Sequence, residues 1–403
     1  MIASIKKLFC GPDTKHTGRM RLKKREVIQM AGQSVKTLLL SQDDLLKVGV
    51  TNMADCIDVI EGVFSLIGKG DYLMGGPLQN EHGQMIYFPD EERFPGMPVS
   101  GPDRRFMSMI GYLGGKYKIC GEKWYGSNPA NPARGLPRSI LTTILNDADT
   151  GAPFAIMSGN QISAMRTGAV PGVIARHLAR KGARTVGVIG GGVINRGVLL
   201  ALKTAVPTIE EAVLYDINLE KGAKWAEEES KALGINVSAT DNIEKAVRQA
   251  DIVSVATGGN VFPRIEKEWL KKGALVIFTG DADMDPEAYS ENTVFADNWK
   301  MHQAFLADGA EHPKGLEAVS VVAPSYHLLL AIQAGKFDQK NIRNLGDVVN
   351  GLDKGRGSDD EIIMFVTGGM PLHDIAWGKT LYDRAVEKGL GEEFCFFNEA
   401  YWR

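Results

Sequence analysis

Four short apolar runs, "RTVGVIG", "EEAVLYD", "ADIVSVAT" and "GALVIFTG", recur between residues 184 and 280, with helical stretches between them. Each is too short and too rich in β-branched residues for a buried helix, and none alternates with polar residues as a half-exposed strand does. Continuous apolar strands separated by helices predict βαβ units and a parallel sheet covered on both faces. The fold class expected from this pattern is α/β.

The first run leads into "GGGVIN", residues 190–195. Gly190 permits a tight turn, and Gly192 leaves room for a pyrophosphate, which the free N–H groups of the following helix attract. Val193 and Ile194 open that helix and join the two glycines as candidate cofactor contacts. Asn195 stands where the fingerprint has its third glycine, a position that serves close helix–strand packing. The next strand ends in Asp216, 26 residues beyond Gly190. A carboxylate there accepts hydrogen bonds from ribose hydroxyls and repels a 2′-phosphate, so the expected cofactor is NAD rather than NADP. Ala256, Thr257 and Gly258 end a later strand and are small enough for a backbone to lie against the nicotinamide half, although an ordinary turn has the same composition.

A chain of 403 residues predicts two domains. On the N-terminal side, Ser41 reads as the N-cap of a helix that carries Ile57, Ile60 and Phe64 on one face. Residues 72–115 read as strands and turns. A hairpin turning at Asp147 to Gly151 and a helix closed by Gly182 follow. The strand–helix alternation fades after about Ala323, and the tail holds a long helix starting near Pro371. The arrangement expected is a Rossmann-type domain of residues 183–323 inserted in an α+β substrate-binding and dimerisation domain of residues 1–182 plus 324–403. Residues 1–37 read as a basic extension.

A net charge of -3 offers no electrostatic footprint for nucleic acid. No apolar run approaches the ~18 residues of a membrane span. Cys10, Cys56, Cys120 and Cys395 are scattered, without metal-ligand or redox spacing, as are the seven histidines. The expectation is a cytoplasmic protein with reduced thiols and no metal site.

Two cations on the N-terminal side invite a chemical reading. Lys123 lies in "CGEKWYGSNPANPARGLPRS", between apolar strand residues and a loop rich in Pro and Asn. Arg166 and Thr167 interrupt the apolar segment "SAMRTGAV". A buried guanidinium needs a partner, either a carboxylate of the protein or one on a substrate.

The segments "YLGGKYKICGEKWYGSNPANPARGLPRSI", "DADTGAPFAIMSGNQISAMRTGAV", the glycine turn and "GRGSDDEIIMFVTGGMPLHDIAWG" together resemble the ornithine cyclodeaminase/mu-crystallin family, from about Leu38 to Gly391. The resemblance implies NAD(P)(H) binding, homodimers, and action on L-amino acids or imines. It implies that Lys123 contacts the substrate carboxylate and reacting centre, that Arg166 pairs the carboxylate, and that Thr167 sits beside it on the phosphate side. A further family arginine corresponds to Arg93, Arg104 or Arg105, with Arg105 favoured. The family's catalytic aspartate falls in "VIFTGDADMDPEAY", as Asp283 when "DxxPE" is aligned and as Asp281 when the strand end is aligned; at least one acid of this turn, Asp285 included, serves as a cap. The reaction implied is NAD-dependent hydride transfer at Cα of an L-amino acid or its imine. Its outcome is cyclodeamination, amino-acid or opine-type dehydrogenation, or imine reduction, and the "GLPRS" context is closer to the dehydrogenase-like branch. A binding protein without turnover, as in mu-crystallin-like members, is the alternative of another class.

Overall fold

A computed structural model describes residues 34–101, 104–258 and 262–401. Most of the basic extension, Cys10 included, lies outside the described residues, as do the last three residues of "SVATGGNV". Two sheets organise the chain. The first contains β1 (Val35–Leu40), β2 (Tyr72–Met74), β3 (Gln84–Tyr87), β4 (Arg105–Leu113), β5 (Ile119–Ser127), β6 (Ser139–Asp147) and β7 (Pro153–Ser158). The second is parallel throughout and contains β8 (Thr185–Ile189), β9 (Glu211–Tyr215), β10 (Asn236–Thr240), β11 (Ile252–Val255), β12 (Leu275–Phe278), β13 (Thr293–Ala296), β14 (Arg343–Asn344) and β15 (Ile363–Val366). The last strand, β16 (Glu392–Phe397), returns to the first sheet beside β1.

The parallel sheet has the order β10-β9-β8-β11-β12-β15-β13-β14. Strands β11, β12 and β15 are buried at every position, as their uninterrupted apolar runs require. The sheet extends further along the chain than expected. Sequence reading ended it near Ala323 and gave 324–403 to the other unit, but β15 pairs with both β12 and β13 in its interior. The run "IMFV" is only four residues long, and the segment before it, rich in Gly, Asp and Lys, masked the return.

Two helix boundaries also differ from the sequence reading. The Ser41-capped helix is only Gln42–Lys47; Gly49 then adopts a φ of 84°, and Asn52 caps a second helix, Met53–Lys69. The helix expected to close at Gly182 is Gly159–Leu178, so it stops four residues short of that glycine. The hairpin and the helix from Pro371 fall as expected, as β6–β7 and Pro371–Lys388.

In the first sheet, β4, β5 and β6 run antiparallel with alternating burial. The helix Pro371–Lys388 covers their inner face. Two glycines allow it to sit close. A Cβ on Gly111 would stand 2.9 Å from Leu372, and one on Gly121 would stand 2.7 Å from Ile375. This close seating brings Asp374, at the helix start, down onto the strand that carries Lys123.

Candidate active site

Lys123 lies on the inner face of β5, opposite Met109 of β4 and Thr143 of β6, and is 4% exposed. Arg166 is buried on the helix Gly159–Leu178. Both turn toward Asp374, which is fully buried. Asp374 Oδ2 stands 3.0 Å from Arg166 Nε and 3.5 Å from Lys123 Nζ. These contacts are ion pairs without aligned hydrogen bonds, so the carboxylate and guanidinium keep donor and acceptor capacity. Burial, with the Arg166 charge, pushes the Lys123 ammonium down to about 8, against the pull of Asp374. The same burial, with Lys123 and Arg166 nearby, pushes His82 down to about 3. His82 is therefore a neutral imidazole, and its Nδ1 donates to the Gly369 carbonyl at 2.9 Å.

Arg166 and Thr167 line a cavity of about 100 Å³ with Val170, Thr279, Thr367, Gly368 and Gly369. Thr279 follows β12 and Thr367 follows β15, so the cavity joins the two cations' side of the molecule to the carboxyl ends of the parallel strands. Thr279 Oγ1 is buried there without a hydrogen-bond partner. The loop Thr367–Gly369 is held from behind by Asp297, which accepts from the Gly368 amide at 2.8 Å and from His302 at 3.0 Å. Burial alone would raise the Asp297 carboxyl; these donors hold it below its usual range.

The glycine turn lies at the carboxyl end of β8. Gly190 has a φ of 100°, and a Cβ there would stand 2.9 Å from the Ala256 carbonyl. Thr257 in turn lies against Gly280, whose Cβ would meet its backbone at 3.1 Å. The ends of β8, β11 and β12 thus converge. Gly192 caps the helix Val193–Ala205 without a side-chain bond, and a Cβ there would meet open space. Asn195 is buried; its amide donates to the Ile189 and Gly190 carbonyls at 3.0 and 2.7 Å and accepts from Ser254. Its side chain therefore ties the turn together where a third glycine would only leave space. Asp216 accepts the Gly191 amide at 2.9 Å and the Asn218 amide at 2.8 Å, one on each oxygen. A carboxylate has roughly four acceptor sites, so both oxygens keep capacity for ribose hydroxyls. The free helix start, the open space at Gly192 and the braced carboxylate fit NAD.

The helix Gly159–Leu178 crosses the helix Val193–Ala205 at Gly168 and Gly197, where a Cβ on Gly168 would stand 2.6 Å from the Gly197 backbone. Thr167 precedes Gly168 at that crossing and lines the cavity with Arg166. Arg105 is half-buried at the start of β4 with its guanidinium 5.3 Å from the Tyr125 ring centroid, and its charge helps to lower Lys123 and His82. Arg104 instead donates to the Val99 carbonyl, and Arg93 is exposed.

Asp281 and Asp283 fall in different surroundings. Asp281 is buried just beyond β12; its Oδ2 accepts both the backbone amide and Nδ1 of His327, at 2.9 and 2.7 Å. Burial raises its carboxyl, and the His327 bonds oppose the rise. Asp283 is 46% exposed and pairs with Arg264, which also holds Glu266 and Asp285. Of the two alignments that the sequence left open, one thus falls on a buried carboxylate, Asp281, and the other on an exposed one held by Arg264, Asp283. Sequence reasoning missed Asp374 and His327. "LHD" at a helix start carries the signal for Asp374; "PSYHLL" carries none, because only the fold brings His327 to β12.

Among the described residues no helix is long and apolar enough to cross a membrane, and no group of three His, Cys, Asp or Glu side chains is placed to hold a metal.

Comparison with known proteins agrees with this geometry. The N-((2S)-2-amino-2-carboxyethyl)-L-glutamate dehydrogenase of Staphylococcus aureus is 31% identical over 291 residues, covering 71% of this chain and 81% of its own. The alanine dehydrogenase of Archaeoglobus fulgidus is 28% identical over 90% of this chain and 99% of its own. The Thermococcus litoralis Δ1-pyrroline-2-carboxylate reductase, solved with NADH and L-proline, superposes with a TM-score of 0.72 at 29% identity, over 88% of this chain and 99% of that one. An archaeal alanine dehydrogenase dimer with bound NAD gives a TM-score of 0.72 at 26% identity, over 90% of this chain and all of that one. The family profile itself matches residues 49–389, and the chain belongs to the ornithine cyclodeaminase/mu-crystallin family.

Proposed function

We propose that this protein is an NAD-dependent oxidoreductase acting at Cα of a small L-amino acid or of the corresponding imine. The observation that carries the reading is the charge of the buried cluster: Lys123 and Arg166 against Asp374 leaves one positive charge without an anion. Removing charge from water is costly unless it is paired. A substrate carboxylate supplies the missing anion, and a guanidinium fork grips it bidentately.

In this reading Arg166 and Lys123 fix the carboxylate and so fix the direction of the Cα–H bond. Such positioning is worth several kcal/mol of barrier, up to roughly 7–11 in the best intramolecular cases. NAD, when bound, takes up the hydride in the oxidative direction, and NADH supplies it in the reverse. Gly190, Gly192, Val193 and Ile194 would hold its pyrophosphate, Asp216 its adenosine ribose, and Ala256, Thr257 and Gly258 its nicotinamide half. The strand-end acid Asp281 belongs to the group that handles the amine proton, since only a neutral amine can release the hydride. The Thr367–Gly369 loop walls the cavity, and neutral His82 braces it through the Gly369 carbonyl.

Dehydrogenation or imine reduction is favoured over cyclodeamination. Cyclisation needs a second amine on the substrate side chain, and the relatives named above are dehydrogenases and a reductase. The retained cluster and turn also favour turnover over binding alone. The related dimer, together with the exposed apolar outer face of β4–β6 (Phe106, Ile110, Trp124 and Ile140), supports a homodimer formed through that face. The test is a panel of L-amino acids, 2-keto acids with ammonia, and cyclic imines, followed by nicotinamide absorbance and product mass. Turnover of an α-carboxylate substrate is expected, and loss of ammonia without net change in NADH would instead favour the lyase.

A further inference from the structure

We propose that the hydroxyl of Thr279 joins the Arg166 guanidinium in gripping the substrate carboxylate; this assignment rests on the carboxylate reading above. Several described residues carry a polar side-chain atom that is buried without a hydrogen-bond partner, but only two of them line the cavity, Arg166 and Thr279. Arg166 Nε at least has its ion pair with Asp374, whereas Thr279 Oγ1 takes no partner among the described residues. Leaving a buried hydroxyl unpaired is costly. A cost of that kind at a cavity wall points to a partner that arrives with a ligand.

The local backbone acceptors are already filled. The Phe278 carbonyl, one residue back, accepts both the amide and Oγ1 of Thr367, at 3.0 and 3.1 Å. The Val255 carbonyl accepts the Thr279 amide at 3.0 Å and the Gly280 amide at 2.8 Å. A carbonyl oxygen has two lone pairs, so neither has one left for the hydroxyl. The same bonds hold the Thr279 backbone between the ends of β11 and β15, and a β-branched side chain has few χ1 states to turn to. The Thr367 hydroxyl, on the same cavity, is spent on Phe278; the Thr279 hydroxyl keeps its hydrogen.

A hydroxyl can donate or accept, so charge decides which part of the ligand it meets. Arg166 lines the same cavity, of about 100 Å³, and Lys123 with Arg166 against Asp374 carries one positive charge in excess. An ammonium placed there would face like charge, and a carboxylate faces opposite charge. Two carboxylate oxygens offer roughly four acceptor sites. The guanidinium fork occupies two of them and leaves others open to the hydroxyl. A second fixed donor group stops the carboxylate from pivoting about the fork, and so narrows the direction in which Cα–H points.

Titration calorimetry tests this, with acetate, propionate, L-alanine and L-proline added to the NADH complex of the full chain. Thr279→Val keeps the shape and loses the hydroxyl. It should weaken every carboxylate that the wild type binds, propionate included, by roughly ten- to a hundredfold. Thr279→Ser should restore most of that loss. NADH affinity should be retained. The melting temperature of ligand-free Thr279→Val should equal or exceed that of the wild type, because a methyl replaces an unpaired buried hydroxyl. A lower melting temperature would overturn the assignment, since the hydroxyl would then already serve the fold. Weaker L-alanine with unchanged propionate would overturn it by putting the hydroxyl on the amine, and a fall in NADH affinity alone by putting it on the nicotinamide. Carboxylate binding weakened in Arg166→Lys and unchanged in Thr279→Val would overturn this inference alone. A wild type that binds none of the four would overturn the carboxylate reading itself.

Discussion

Asp374 and Arg166 meet at 3.0 Å with both side chains buried, one on the C-terminal helix and the other on the helix that follows β7. The contact joins segments 208 positions apart (374 − 166) and fixes the guanidinium at the cavity wall. Breaking a buried pair by removing one partner typically costs about 3–5 kcal/mol, because the surviving charge stays buried. Asp374→Asn is therefore predicted to lower stability by that order in chemical denaturation. Added carboxylate should restore more stability to the variant than to the wild type, since it is drawn by two unpaired cations instead of one.

Lys123 links pH to binding and to stability with opposite signs. Its folded value is pushed down to about 8, below the ordinary 10.5. Between these values the unfolded chain holds a proton that the folded chain does not, so this residue's contribution to stability rises with pH through that window. Carboxylate affinity runs the other way, because it needs the ammonium, and should weaken by up to roughly tenfold per pH unit above about 8. Titration calorimetry across that range checks the slope, and Lys123→Met should flatten it while leaving NADH binding nearly intact.

Arg166→Lys keeps the charge but loses the fork. An ammonium cannot offer two parallel donors to a carboxylate. Affinity for carboxylate ligands should fall by roughly one to two orders of magnitude, as expected for a charge-assisted bond worth about 1.5–3 kcal/mol. NADH affinity, measured by fluorescence, should change little.

Asp216 should set the preference for NADH over NADPH. Asp216→Ser removes the charge that a 2′-phosphate would face, and should narrow the gap between the two affinities. It also releases the Gly191 and Asn218 amides, so NADH itself should bind somewhat more weakly. Tighter NADPH binding by the wild type would contradict the assignment.

The outer face of β4–β6 predicts the assembly. Trp124 stacks on Phe106 with ring centroids 5.8 Å apart, beside exposed Ile110 and Ile140. An apolar patch of this kind marks an association surface. Sedimentation should show a dimer at micromolar concentration, and Trp124→Glu should shift it to monomer without unfolding the parallel sheet.

Much of this was legible in the residues because the signals are local. The runs that became β8, β9, β11 and β12 carry their burial in their composition, and Gly190 carries its turn in its lack of a side chain. Lys123 and Arg166 stood out because a charge in an apolar segment demands a partner. The partner itself was hidden, since Asp374 reaches them only through the close seating of a distant helix on Gly111 and Gly121. The return of β15 to the parallel sheet is likewise non-local, as four apolar residues say nothing about which sheet they join. Asp281 and Asp283 were separated only by their surroundings, His327 for one and Arg264 for the other.

The central claim is that Arg166 and Lys123 present a carboxylate-bearing Cα to a nicotinamide. Its most direct test is stopped-flow nicotinamide absorbance with saturating NAD and the L-amino acid panel, comparing wild type with Arg166→Lys. The account predicts NADH formation from at least one L-amino acid by the wild type, strongly reduced in the variant although both bind NADH alike. Equal rates in the two proteins would contradict it.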